Sequence, residues 1–104
     1  MASAVGQAQA TGKLLFIDFT AEWCGACQKM EATTFKDPTV ISALQRYLFI
    51  KVDADLYPSA AQHFKVVGMP TLVVLGSSGQ ELYRQVGPIG AAELTQKLLS
   101  LPGG

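Results

Sequence analysis

The sequence predicts an α/β fold in which a central four-stranded mixed sheet carries helices on both faces, with an extra helix at the N-terminus. Three observations predict it. Residues 14–19 are apolar on successive positions, as a strand covered on both faces should be, while residues 47–52, apolar except for Lys51, and residues 72–75 read as a second and a third strand. Residues 81–86 instead set Leu82, Arg84 and Val86 against Tyr83 and Gln85, the alternation of a half-exposed antiparallel edge strand. Helix-forming segments separate these runs, and no repeat or low-complexity linker interrupts them. A chain of 104 residues suffices for a single core, so residues 1–104 are read as one domain.

Taken in order, residues 2–11 are rich in Ala and Gln and favour a short helix ended by Gly12, although Gly6 weakens it. Met1-Ala2-Ser3 fits a cloning remnant. The strand at 14–19 carries an acid, Asp18, near its end. Residues 24–34 are the next predicted helix. Asp37 then caps a short helix that has Pro38 in its first turn and runs through Val40, Ile41 and Leu44. Asp53-Ala54-Asp55 closes the strand at 47–52. Residues 58–64 are predicted helical, with Ala60, Ala61 and Phe64 inward. Gly68-Met69-Pro70-Thr71 precedes the third strand, and Gly76-Ser77-Ser78-Gly79 turns the chain into the fourth. A last helix at 91–101 aims Leu94, Leu98, Leu99 and Leu101 at the core, and residues 102–104 form a flexible tail. The order gives a first half with a crossover helix and a second half with a hairpin.

Composition excludes several function classes. Eight basic and eight acidic residues leave no net charge, which argues against a nucleic-acid or anionic-membrane surface. No apolar run approaches the ~20 residues of a transmembrane helix. Residues 1–12 hold no Lys or Arg and no apolar core of a signal peptide. The expectation is a monomer that is either cytosolic or a mature domain cut from a longer exported protein. Two cysteines are too few for a structural disulfide framework, and their number does not set the redox compartment.

The chemistry concentrates at Trp23-Cys24-Gly25-Ala26-Cys27, where a strand runs into a helix. Cysteines at i and i+3 on a first helical turn lie on one side of it, close enough to form a disulfide. Cys24, at the helix start, meets unpaired backbone N–H groups and the positive end of the helix dipole, both of which favour thiolate. Cys24 is therefore the expected exposed nucleophile and Cys27 the resolving thiol. A zinc half-site is the competing reading, but no further Cys exists and His63 stands alone. Two inert buried cysteines are another. Asp18, in an apolar run, is either buried with a raised pKa, poised to accept the Cys27 proton, or a strand cap in solvent. Glu31 shares the helical face of both cysteines and either raises their pKa values or faces water. Lys51 either pairs with Asp18 or extends to the sheet edge. Met69-Pro70 is either a cis bond that turns the Met69 backbone toward a partner peptide or an ordinary trans turn. Trp23 is a docking surface or cover for the core. With Gly25, Ala26, Met69 and Pro70 it makes up the expected substrate-binding surface; no metal or cofactor other than a Cys24–Cys27 disulfide is expected.

Together these residues resemble the thioredoxin superfamily over nearly the whole chain. Asp18-Phe19, Ala21-Glu22-Trp23-Cys24-Gly25 and Cys27 match its active-site stretch, and Lys51, Pro58, Gly68, Pro70-Thr71 and Val86-Gly87 fall in register. Ala26 departs from the proline that keeps the thioredoxin couple strongly reducing. Trp23-Cys24-x-Ala26-Cys27-x-x-Met30-Glu31, then Thr34-Phe35-x-Asp37-Pro38-x-Val40, is similar to the C-terminal periplasmic domain of the DsbD family of thiol:disulfide interchange proteins; Lys51 departs from that subgroup toward thioredoxin. The resemblance implies a thioredoxin fold and a protein-disulfide reductase in which Asp18 and Glu31 tune the cysteines. It implies electrons received from a transmembrane donor domain and passed to an N-terminal immunoglobulin-like acceptor domain of the same protein, in the periplasm, with a link to cytochrome c biogenesis. The alternatives are a stand-alone cytosolic thioredoxin fed by a flavin-dependent thioredoxin reductase, and a non-catalytic binding module.

Overall fold

Every strand expected from the apolar runs forms, and β1 lies inside the sheet. The computed structural model describes residues 6, 7 and 10–102. Strands β1 (Leu14–Thr20), β2 (Tyr47–Asp53), β3 (Thr71–Leu75) and β4 (Glu81–Val86) make a four-stranded sheet in the order β2-β1-β3-β4. β1 pairs parallel with β2, and the β1–β3 and β3–β4 pairs are antiparallel. The sheet is therefore mixed, as expected from a crossover followed by a hairpin.

Helices α1 (Gly25–Ala32), α2 (Pro38–Leu44), α3 (Pro58–His63) and α4 (Ala91–Ser100) cover it, with a 3₁₀ turn at Thr34–Lys36. Every residue of β1 is buried, and its period of two divides them between the two faces. Leu14 and Phe16 pack with Met30 of α1, Val40 and Ala43 of α2, and Leu94 and Leu98 of α4. Leu15, Ile17 and Phe19 pack on the opposite face, against Ala60 of α3 and Phe64 just beyond it. Asp18 belongs by parity to the face of Leu14 and Phe16, the one that α1 covers. Two buried side-chain hydrogen bonds tie down the long connections: Thr34 Oγ1 donates to Ile89 O at 2.9 Å and Tyr47 OH donates to Leu98 O at 2.5 Å.

The N-terminal helix is seen at residues 6, 7, 10 and 11, and Gly12 follows with φ +72°, a conformation suited to glycine. The rest of that helix, the suggested remnant at residues 1–3, and residues 103–104 of the tail lie outside the described residues. Two expectations need correction. The helix at the cysteines ends at Ala32 rather than Thr34, because Thr33 leaves helical geometry (φ −122°, ψ −76°) and Thr34 turns inward to Ile89. Leu99 is exposed, not in the core. At 100° per residue Leu94, Leu98 and Leu101 fall within about 60° of one another, whereas Leu99 lies about 140° from Leu94.

Leu98→Ala is therefore expected to lower unfolding free energy by about 2–5 kcal/mol, and Leu99→Ala to stay within about 0.5 kcal/mol of the parent. Urea unfolding followed by circular dichroism reads both.

Candidate redox site

β1 ends at Thr20, and Cys24 N–H donates back to Ala21 O at 3.1 Å, closing the turn that presents the cysteines. Cys24 is the N-cap of α1, with extended backbone (φ −86°, ψ 102°), and its sulfur takes the capping role usually played by an oxygen. Cys27 N–H donates to Cys24 Sγ at 3.1 Å. The two cysteines form a disulfide with their Cα atoms 5.3 Å apart. Ala21 is buried beside them, and Ala26 and Met69 pack on the pair. The expected contrast between an exposed Cys24 and a sheltered Cys27 is absent: they are 5% and 3% exposed. The apolar cover from Ala21, Ala26 and Met69 encloses the whole disulfide ring, so exposure does not distinguish nucleophile from resolving thiol.

The Met69–Pro70 bond is cis, with Pro70 buried and Met69 against the cysteines. The loop is held by Thr71 Oγ1 donating to Gly68 O at 2.6 Å. Gly87 N–H, from a residue at φ +92°, donates to Pro70 O at 2.8 Å. Trp23 is not core cover. It is 68% exposed, and its indole Nε1–H donates to Asp55 Oδ2 at 2.8 Å. Gly25 is exposed and Ala26 half-buried.

Asp18 is buried rather than set in solvent as a strand cap. It lines a cleft of about 460 Å³ together with Gln28 and Glu31 of α1, Phe49 and Lys51 of β2, and Lys36. Its pKa is raised from the ordinary 3.8 to about 6, chiefly by burial and further by the Glu31 charge, with Lys51 acting in the opposite direction. Lys51 stands opposite Asp18 in the strand register yet pairs with Glu31, Nζ to Oε1, at 2.7 Å. That hydrogen bond is the main reason the Lys51 ammonium is held above its usual pKa. Glu31 is thus neither loose in water nor acting alone. The structure brings Asp18, Glu31 and Lys51 to one cleft and gathers Cys24, Cys27 and Met69 in a separate apolar cluster, with α1 contributing to both.

Two contacts lie outside the sequence reading. Asp55 was legible only as a strand-ending acid, and nothing local says that it reaches a tryptophan 32 residues away. Gln28 donates its side-chain amide to Glu22 O, tying the turn to α1. Among the described residues no group of three or more His, Cys, Asp or Glu side chains is placed to hold a metal ion, and no helix is long and apolar enough to cross a membrane.

A parallel β-α-β unit joined to a β-hairpin, with a disulfide at a helix start and a cis-proline loop against it, defines a thioredoxin-like thiol–disulfide oxidoreductase. The Thioredoxin family model matches residues 4–100, and the chain belongs to that family. It is 36% identical over 103 residues to the thiol:disulfide interchange protein DsbD of Yersinia pestis (strain Pestoides F), covering 91% of this chain and 17% of the relative. It is 39% identical over 80 residues to DsbD of Salmonella typhimurium, covering 71% of this chain and 14% of the relative. The chain thus spans less than a fifth of the length of these relatives. Among solved structures, a thioredoxin from Thermus thermophilus superposes with a TM-score of 0.85 at 30% identity, covering 99% of this chain and 85% of that one. The oxidised C-terminal domain of Neisseria meningitidis DsbD gives a TM-score of 0.76 at 25% identity, covering 92% and 87%.

The raised pKa of Asp18 has a sign that can be checked. A group whose folded pKa exceeds its unfolded value adds stability below the unfolded value and loses it as pH rises through the folded one. Between 3.8 and about 6 the wild type therefore loses stability relative to Asp18→Asn. The variant is expected to be more stable by about 3 kcal/mol above pH 7, at 1.36 kcal/mol per pH unit of pKa difference, and the gap to close below about pH 4. Denaturant unfolding of both proteins across that range measures it.

Proposed function

We propose that this chain is a protein-disulfide reductant and works as the C-terminal periplasmic domain of a DsbD-type interchange protein, residues 1–104 forming one domain. The observation that carries the dithiol chemistry is the Cys27 N–H aimed at Cys24 Sγ at the start of α1, and the carboxylates of Asp18 and Glu31 in the cleft beside α1 support the reducing direction. It stabilises negative charge on the sulfur that must attack. The identity to DsbD relatives along 91% of the chain supports the choice of subgroup.

The Cys24 thiolate attacks one sulfur of the partner's disulfide. A Cys24–partner S–S bond forms, the partner's own S–S bond breaks, and its departing thiolate takes a proton from water. Cys27 then gives its proton to the Asp18 carboxylate, and its thiolate attacks Cys24 Sγ. The Cys24–Cys27 disulfide forms and the second partner thiolate leaves, so two electrons have passed to the partner. Asp18 suits this step because its pKa of about 6 leaves it ionised at neutral pH, yet more basic than an ordinary carboxylate. Glu31 supplies a second negative charge beside it, moderated by Lys51. Trp23, Gly25, Ala26, Met69 and Pro70 form the surface that receives the partner. In the DsbD-type arrangement a transmembrane domain restores the dithiol and an immunoglobulin-like domain accepts the electrons; the domain acts as a monomer and needs no cofactor.

A second reading, a stand-alone thioredoxin fed by a flavin reductase, draws on the superposition with the Thermus thermophilus thioredoxin across 99% of this chain. Rapid reduction by thioredoxin reductase and NADPH, with no exchange with a DsbD transmembrane domain, would favour it.

In an insulin-disulfide reduction assay, Cys24→Ser is expected to fall to background, and Cys27→Ser to accumulate a mixed disulfide visible on a non-reducing gel. Asp18→Asn should slow resolution of that mixed disulfide by roughly 10²-fold at neutral pH, the usual size of a general-base contribution. Undiminished turnover in Cys24→Ser would remove the dithiol mechanism. An unchanged resolution rate in Asp18→Asn would remove the acid from it.

A further inference from the structure

Among the described residues the most exposed large apolar side chains are Val67, Leu56, Trp23 and Tyr57. Val67 precedes the Met69–Pro70 loop, and Trp23 belongs to the surface already described. Leu56 and Tyr57, in the loop between β2 and α3, are 72% and 60% exposed. Folding does not bury them, yet their loop is fixed. Asp53 Oδ1 accepts the N–H groups of Asp55 at 2.9 Å and Leu56 at 3.2 Å, and Tyr57 N–H donates to Asp53 O at 2.9 Å. Trp23 is tied to the same loop through Asp55 at 2.8 Å. A held loop that presents apolar side chains has little ordering entropy left to lose when a partner covers it.

Leu56 and Tyr57 line a cleft of about 420 Å³ with Ala21, Glu22 and Asp53. Ala21, which lines the cleft, also packs against the cysteines, so one buried residue separates the cleft from the disulfide. Any protein that forms a mixed disulfide must bring a sulfur to within about 2 Å of Cys24 Sγ, and its neighbouring surface then extends over this cleft. The charge there is negative: Glu22, Asp53 and Asp55 surround the apolar side chains, and Lys51, the cation lining the cleft, is engaged by Glu31. Complementarity favours a basic partner over an acidic one.

We propose that Leu56 and Tyr57 are specificity-determining residues that dock the partner polypeptide carrying the exchanging disulfide, and that they select a segment with an apolar side chain and a Lys or Arg beside its cysteine. The proposal rests on the dithiol reading above and adds to it a partner chemistry and two residues that do not touch the reacting sulfurs.

The test uses three substrates: hydroxyethyl disulfide, and two synthetic disulfide peptides identical except for a Leu-Lys or a Leu-Glu flank. The parent is expected to show a KM about tenfold lower for the Leu-Lys peptide, and the Leu56→Ser/Tyr57→Ser variant a KM for it raised about tenfold, the order expected from uncovering buried apolar side chains. Its kcat and its rate with hydroxyethyl disulfide should match the parent. Because both side chains are exposed, the variant should keep the parent's melting temperature. Equal KM values for the two peptides in the parent, an unchanged KM in the variant, or a parallel fall with hydroxyethyl disulfide would each overturn the docking role. Failure of the dithiol reading has a different signature, hydroxyethyl disulfide reduction that survives Cys24→Ser.

Discussion

The N–H of Cys27 points at the sulfur of Cys24 from 3.1 Å, and the arrangement of the site follows from where that contact can be made. It needs a helix that begins at a cysteine and a strand that delivers the cysteine to the helix start. β1 supplies the delivery. It is buried along its whole length, and it is held on one edge by β2 and on the other by β3. Cys24 therefore sits four residues beyond a strand buried along its whole length, in a turn closed by its own N–H donating to Ala21 O.

Against this stabilisation of negative sulfur stand negative charges nearby. The parity of β1 puts Asp18 on the face that α1 covers, and the helical repeat brings Glu31 to the same side. Burial and Glu31 together hold Asp18 at about 6. A buried carboxylate costs stability at neutral pH, and an apolar side chain would suit the face of β1 that Asp18 shares with Leu14 and Phe16 better. Lys51 limits the penalty: it is opposite Asp18 in the register and bonded to Glu31, so the cleft never carries two unopposed negative charges. The proposed proton transfer and protein stability pull on this one residue in opposite directions.

Much of this was legible in the sequence because it is local. Successive apolar residues identify the strands, of which β1 and β3 are buried throughout while β2 lies half-exposed at the sheet edge, and two cysteines at a strand–helix junction identify the chemistry without help from the rest of the chain. Asp37-Pro38 marked a helix start, and the structure has the Asp37 side chain accepting from Thr39 N–H at 2.9 Å. The cis Met69–Pro70 bond was one of two open readings, since nothing in a Gly-Met-Pro-Thr run decides it alone. Long-range pairing was not legible. Lys51 could be placed at a sheet edge or on Asp18, but its choice of Glu31 depends on how α1 lies across β2. The link from Trp23 to Asp55, and the equal shelter of both cysteines under Met69, also arise only when distant segments meet. Leu99 was misplaced for a simpler reason: a leucine-rich helix invites every leucine inward, while a single face admits only those near one angle.

In the proposed mechanism two effects oppose each other at the dithiol. The start of α1 favours the thiolate and, by stabilising the reduced form, makes a dithiol more oxidising; the proposed role of Asp18 and Glu31 is to act as nearby negative charges in the reducing direction. Acting as a reductant requires the acids to prevail. The direct measurement is the reduction potential of the Cys24–Cys27 couple, by equilibration with glutathione buffers of known ratio. A value near about −270 mV or below, in the range of reducing members of this family, is expected. A value near about −120 mV, where reduced thiols are strongly stabilised, would contradict the account.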